Sequence, residues 1–166
     1  MSEITASTDP SDDSATEAAA PPTAADIRLA AMNLLARREH SVRELRNKLK
    51  RRFCDEAVID EQISRLTLER LQSDARFAES YARQRADKGY GPVRLREELR
   101  ERGVSEAEVE VALEQLEVDL RVLATRVMQK KFGLDAPVDI KEKARRARFM
   151  QYRGFAVEHY RGREQN

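Results

Sequence analysis

Two histidines, one cysteine, a Gly-Tyr-Gly-Pro turn and two adjacent glutamates are the residues of this chain whose types could do chemistry. His40 and His159 lie far apart, and neither belongs to a spacing such as H-E-x-x-H that would aim two imidazoles at one metal ion. Both read as ordinary surface or capping residues. With Cys54 as the single cysteine, no cysteine-based zinc cluster and no internal disulfide can form, which fits a reducing compartment. Cys54 reads as a small, partly buried structural residue rather than a reactive one. Gly89-Tyr90-Gly91-Pro92 lacks the Gly-Lys-Ser/Thr end that grips a nucleotide and follows no strand, so it reads as a helix–helix turn. Glu97 and Glu98 would point about 100° apart on a helix and so form no acid/base pair. The reading assigns no catalytic residue, no metal ligand and no cofactor, and expects a binding protein rather than an enzyme.

Charge is what remains. The segment Arg94–Gly103 mixes signs and places Glu98 four residues before Arg102, a favourable helix pair. Just upstream, Arg83, Arg85 and Lys88 add basic density without matching acids. The run Lys141-Glu-Lys-Ala-Arg-Arg-Ala-Arg148 holds more bases than Glu142 can neutralise, with Arg153 following. Phe149, Tyr152, Phe155 and Tyr160 stand beside these bases and read as core of the last unit rather than base-stacking platforms. The formal net charge of +1 conceals a gradient. Residues 1–26 carry six acids and no base, whereas residues 121–166 carry 12 bases and five acids. An acidic start and a basic end point to a polyanionic partner for which the tail could compete.

Helices must position these charges. Apolar residues make up 40% of the chain and charged residues 37%, enough for several small cores but not for one large one. Long runs free of Gly and Pro favour helix, and no segment alternates as a strand would, so the fold class reads as all-α. Residues 1–22 are poor in large apolar side chains and read as a disordered acidic tail. Thr23, Ser41 with Glu44, Asp55, Asp74, Ser105 with Glu108, and Asp139 with Glu142 read as helix starts. Leu45 and Leu49 recur 50 residues later as Leu95 and Leu99, and Ile59 recurs as Val109. Gly103 and Leu99 recur 51 residues on as Gly154 and Met150, although Arg146 occupies the place an apolar residue should take. The spacing predicts three tandem three-helix repeats, over residues 23–72, 73–118 and 119–166, forming an elongated curved array of about nine helices. No stretch approaches the roughly 18 apolar residues that span a bilayer, and no secretory signal opens the chain. A soluble, cytoplasmic monomer without membrane contact is expected.

The blocks Ser41-Val-Arg-Glu-Leu-Arg-Asn-Lys-Leu49, Asp74-Ala-Arg-Phe-Ala78, Lys88-Gly-Tyr-Gly-Pro-Val-Arg-Leu-Arg-Glu-Glu-Leu99 and Arg148-Phe-Met-Gln-Tyr-Arg-Gly-Phe155 resemble the RecX family, bacterial regulators of the RecA recombinase. The resemblance covers residues 27–163, and Leu71-Gln72-Ser73 departs from the family's more usual Gly-Tyr-Leu-Asp turn. It implies tandem three-helix repeats that lodge in the groove of the RecA filament on single-stranded DNA. It also implies restraint of the filament's ATP hydrolysis, strand exchange and co-protease activity, and so effects on recombination, DNA repair and the SOS response. On unpaired charge, the expected contacts are Arg83, Arg85, Lys88, Arg94, Arg96 and Arg100 of the middle unit. Lys141, Lys143, Arg145, Arg146, Arg148 and Arg153 complete the set from the last. Leu95 and Leu99 are expected in the core. A sequence-indifferent nucleic-acid-binding helical protein is the alternative.

Overall fold

The computed structural model describes residues 21–160. The acidic tail therefore lies outside the described residues except for its last two. Nine α-helices form among the described residues and no strand does: α1 (Ala24–Leu35), α2 (Val42–Leu49), α3 (Glu56–Leu68), α4 (Asp74–Asp87), α5 (Pro92–Glu101), α6 (Glu106–Glu114), α7 (Leu120–Phe132), α8 (Ile140–Tyr152) and α9 (Val157–Tyr160).

Polar side chains start most of these helices by accepting hydrogen bonds from otherwise unpaired first-turn N–H groups. Thr23 with Asp26 and Ser105 with Glu108 form reciprocal capping boxes. Ser41 caps α2, but the Glu44 carboxylate turns away to Arg38 at 2.8 Å. Asp55, Asp119 and Asp139 cap α3, α7 and α8. Ser73, not Asp74, caps α4, which frees the Asp74 carboxylate for a longer-range role. Pro92 opens α5 at a position where its missing N–H costs nothing.

Closely packed helix pairs all fall within the triplets α1–α3, α4–α6 and α7–α9, hereafter units 1 to 3. Unit 1 buries Ile27, Leu45, Leu49, Ile59 and Leu66, and unit 2 buries Phe77, Leu99, Val104 and Val109. Leu95 is also fully buried. Truncating any of these leucines to Ala should cost about 2–5 kcal/mol. Unit 3 has a thinner core of Leu123, Ala124, Met150 and Phe155, which Ala86 of α4 completes. Units 2 and 3 thus share apolar packing.

Several sequence expectations are corrected. His40 is 1% exposed rather than a surface residue. Its ring Nδ1 lies 2.9 Å from the Arg38 carbonyl, so Nδ1 must carry the proton and donate. Cys54 is exposed, not partly buried. Ile140, the apolar residue that opens α8, is 86% exposed. Tyr152 is exposed instead of joining the unit 3 core. Arg146 fills the slot of Leu45 and Leu95: it is 9% exposed, its stem buried and its guanidinium bound to Glu142 and the Asp135 carbonyl. His159 does cap, accepting from the Ala156 N–H through Nδ1 at 3.1 Å.

Candidate functional site

Of the expected contacts, Arg85, Lys88, Arg94 and Arg153 come together at the junction of units 2 and 3. Gly91 N–H donates to the Arg153 carbonyl at 2.8 Å, and Val93 N–H to the Gly154 carbonyl at 3.1 Å. The start of α5 is therefore clasped, main chain to main chain, onto the turn that ends α8. Only glycine fits: a Cβ on Gly91 would run into the Gly154 carbonyl, and one on Gly154 into the Arg94 backbone. Gly154 also holds a φ of +85°, the left-handed region.

Around this clasp the arginines find partners. Glu98 accepts from Arg85 Nε at 2.6 Å, Arg94 Nε at 2.9 Å and the Tyr81 hydroxyl at 2.8 Å. Burial alone would raise the Glu98 carboxyl, but these three donors outweigh it and hold it at about 2. Burial, reinforced by the bond to that carboxylate, pushes the Tyr81 hydroxyl up to about 12. The Arg85 guanidinium stacks 3.7 Å from the Tyr90 ring centroid, with Arg153 at 4.8 Å and Arg94 at 5.0 Å from the same ring. Arg94 also donates to the Tyr152 carbonyl at 3.1 Å. The predicted Glu98–Arg102 pair does not form between side chains. Arg102 instead bonds the Glu98 carbonyl and lies 3.5 Å from Glu44 of unit 1.

The expectation of unpaired charge needs correcting for much of the set. Arg83 pairs with Glu79 at 2.8 Å, Arg96 grips Glu110 at 2.8 and 3.0 Å, and Arg100 grips Glu106 at 2.5 Å through both nitrogens. Glu79 lies one turn earlier on the same helix, whereas Glu106 and Glu110 belong to the next helix, where sequence proximity does not reveal them. In unit 3, Arg146 and Arg145 share Glu142 at 2.7 and 3.5 Å and lean on the Phe132 ring. Lys143 is exposed yet already engaged within the protein. Lys88, Lys141 and Arg148 are exposed and make no ion pair among the described residues.

Beside the clasp lies a pocket of about 270 Å³ between the end of α4, α7 and the end of α8. Lys88, Arg126, Lys130, Lys131 and Arg153 line it, opposed by Asp87 alone. Gly89, Leu123, Val127 and Phe149 supply an apolar floor. Arg153 is aimed here by its bond to the Lys88 carbonyl at 3.2 Å and by the Phe149 ring, 5.2 Å away. Arg126, Lys130 and Lys131 were not singled out from sequence, although they belong to the basic excess of residues 121–166. Helix α7 displays them on one face at i, i+4 and i+5. Five cations around an apolar floor suit an anion carrying a flat or greasy group, and the lining contains no histidine, cysteine or hydroxyl side chain to act on it.

Comparison with known proteins agrees with this architecture. Family models described as the first, second and third three-helix domains of RecX match residues 28–66, 73–113 and 121–159. The protein named Regulatory protein RecX from Pseudomonas putida (strain GB-1) is 46% identical over 132 residues, covering 80% of this chain and 85% of the relative. Its namesake in Halorhodospira halophila is 43% identical over 135 residues, covering 81% and 84%. The crystal structure of RecX from Lactobacillus salivarius superposes with a TM-score of 0.65 over 82% of this chain and 90% of that one. At 23% identity, that likeness supports the fold alone.

Proposed function

The chain belongs to the RecX family, and from that premise we propose that it binds a RecA recombinase filament on single-stranded DNA and restrains ATP hydrolysis, strand exchange and co-protease action. It would thereby act in recombination, DNA repair and the SOS response. The observation that carries the reading is the five-cation pocket at the junction of units 2 and 3, set on a repeat array. A filament repeats along its length and carries phosphate within it. An array of linked units can span neighbouring protomers, and a cationic pocket on it can meet that phosphate. Binding that favours one filament geometry over another shifts the filament's population by the difference in affinity and needs no chemistry of its own.

Lys88, Arg126, Lys130, Lys131, Arg153, Lys141 and Arg148 are the proposed contacts, since their charge faces outward. Arg85, Arg94, Arg96, Arg100 and Arg146 would have to surrender an internal acid to reach a partner, and are proposed to hold the contact surface in shape instead. Arg83, Lys143 and Arg145 stand between the two groups.

A direct, sequence-indifferent hold on nucleic acid is the second reading, favoured by the Phe149 ring among the pocket's cations. One titration separates the two. DNA-dependent ATP hydrolysis by the cognate recombinase is followed as this protein is added, beside a DNA-binding control without recombinase at the same salt. Inhibition far below the concentration that saturates bare DNA is the expected result. Inhibition only at or above that concentration would leave the nucleic-acid reading in its place.

A further inference from the structure

Unit 1 carries a second concave surface, remote in sequence from the pocket described above. A groove of about 790 Å³ runs between α1 and the end of α2. Ala30, Leu34 and Leu49 give it an aliphatic floor, while Arg37, Lys48, Arg51 and Arg52 give it a cationic rim. No acidic residue lines it.

The clustering is local. Elsewhere in unit 1 most bases hold acids, among them Arg28 with Glu69, Arg38 with Glu44, Arg46 with Asp60 and Lys50 with Glu56. Arg43 and Arg70, which make no ion pair among the described residues, do not line the groove. The four rim residues are exposed and make no ion pair among the described residues. Arg52 leans on Phe53, its guanidinium carbon 5.6 Å from the ring centroid, which keeps its charge at the rim. Neighbouring like charges repel, and acids placed nearby neutralise most other bases of this unit. Four cations left together over a concave surface are suited to an anionic occupant.

Two features decide the class of that occupant. An aliphatic floor between two helices accepts apolar side chains, which a phosphodiester backbone does not provide. Nor does any aromatic ring line the groove to stack a base, whereas Phe149 lines the unit 3 pocket. We propose that the unit 1 groove docks an acidic segment of a partner protein, its carboxylates on the Arg37–Arg52 rim and its aliphatic side chains on the Leu34–Leu49 floor. The proposal rests on unit 1 alone and does not depend on the filament reading.

The test uses the full chain and fluorescence anisotropy. The probe is a labelled synthetic peptide of about 14 residues with Glu and Leu at helical spacing. Its controls are the same peptide with every Leu replaced by Ser, and an oligo-dT of similar charge. All are measured near physiological salt, where loose surface attraction is screened. The Leu-bearing peptide is expected to bind about tenfold or more tightly than the Ser version. The double variant Arg37→Glu/Arg51→Glu, whose exposed sites should leave the melting curve unchanged, is expected to lose that binding by about tenfold or more while altering oligo-dT binding by less than about twofold. Absence of peptide binding, equal binding of the two peptides, an unaffected double variant, or a larger loss for oligo-dT than for the peptide would each overturn the proposal.

Discussion

The same repeat makes two junctions, and it builds them from different materials. Between units 1 and 2 the contacts are polar side chains. Ser41 Oγ donates to the Arg102 carbonyl at 2.8 Å, Val42 N–H to Asp74 at 2.9 Å, and buried Gln72 to both the His40 carbonyl and Asp74. Between units 2 and 3 the corresponding turn is clasped by backbone, and Ala86 carries apolar packing across. Gly103 and Gly154 occupy equivalent positions, both with positive φ. Yet a Cβ on Gly103 would sit 3.0 Å from the Arg43 Cβ, a tight contact, where one on Gly154 would collide with the Arg94 backbone nitrogen at 2.5 Å. The lesson is that a repeat can conserve where its units touch while changing what the touch tolerates. Units 2 and 3 share backbone hydrogen bonds and apolar packing beside the cationic pocket. Unit 1 is joined to unit 2 through a polar network beside the titratable groups His40 and Asp74.

Alanine at the two glycines isolates that difference. Gly154→Ala should destabilise by about 3 kcal/mol or more, from left-handed strain plus backbone collision, and Gly103→Ala by roughly 1–2 kcal/mol from the strain alone. Urea unfolding of both variants measures the gap, and equal losses would erase the distinction. Next in size, Glu98→Ala strips Arg85, Arg94 and Tyr81 of their shared acceptor and should cost about 3 kcal/mol. Its acid dependence follows from a carboxyl held at about 2 against an ordinary 4.5. The folded value lies below the unfolded one, so the stabilisation is complete above pH 4.5 and is lost as pH falls toward 2.

The polar junction should yield earlier. Burial, then the nearby charges of Arg38 and Lys48, outweigh the bond to the Arg38 carbonyl and hold the His40 imidazole below its usual 6.5. The unfolded chain then takes up the proton first, and stability falls as pH drops below 6.5. Protonation would also place a new donor on Nε2, which is buried and unpartnered among the described residues. Asp74, whose carboxyl burial pushes upward, acts in the opposite sense but only in the carboxylate range. Hydrogen exchange at pH 5.5–6 should therefore open Ser41–Leu45 before Gly91–Leu95, and simultaneous opening would contradict the comparison. The smallest effect is a gain. Arg70 ends α3 at a φ of +60°, and Arg70→Gly should stabilise by roughly 0.5–1 kcal/mol in thermal melts.

Much of this architecture was legible in the sequence, because caps and helical stripes are local. Ser105 with Glu108, and the pairs Leu45–Leu49 and Leu95–Leu99, declare helices and their inner faces within a few residues. The charge pairing between helices was not legible. Glu98 reaches Arg85 on the preceding helix and Glu110 reaches Arg96 on the preceding helix, so partners depend on how helices cross. The burial of Arg146 in a leucine slot required Glu142, one turn earlier on α8, and the Asp135 carbonyl, from a loop that no periodicity marks, to converge on its guanidinium. The basic excess near the end of the chain gave only an expectation of a polyanionic partner. The cationic pocket itself forms only where α4, α7 and α8 bring Lys88, Arg126, Lys130 and Lys131 together.

The most direct test is inhibition of the recombinase's DNA-dependent ATP hydrolysis by wild type and by Lys130→Glu/Lys131→Glu, measured side by side with their melting curves. Both lysines are exposed, so the variant should melt as wild type does. Inhibition by the variant should be weaker by about tenfold or more. A variant that melts normally and inhibits as well as wild type would contradict it.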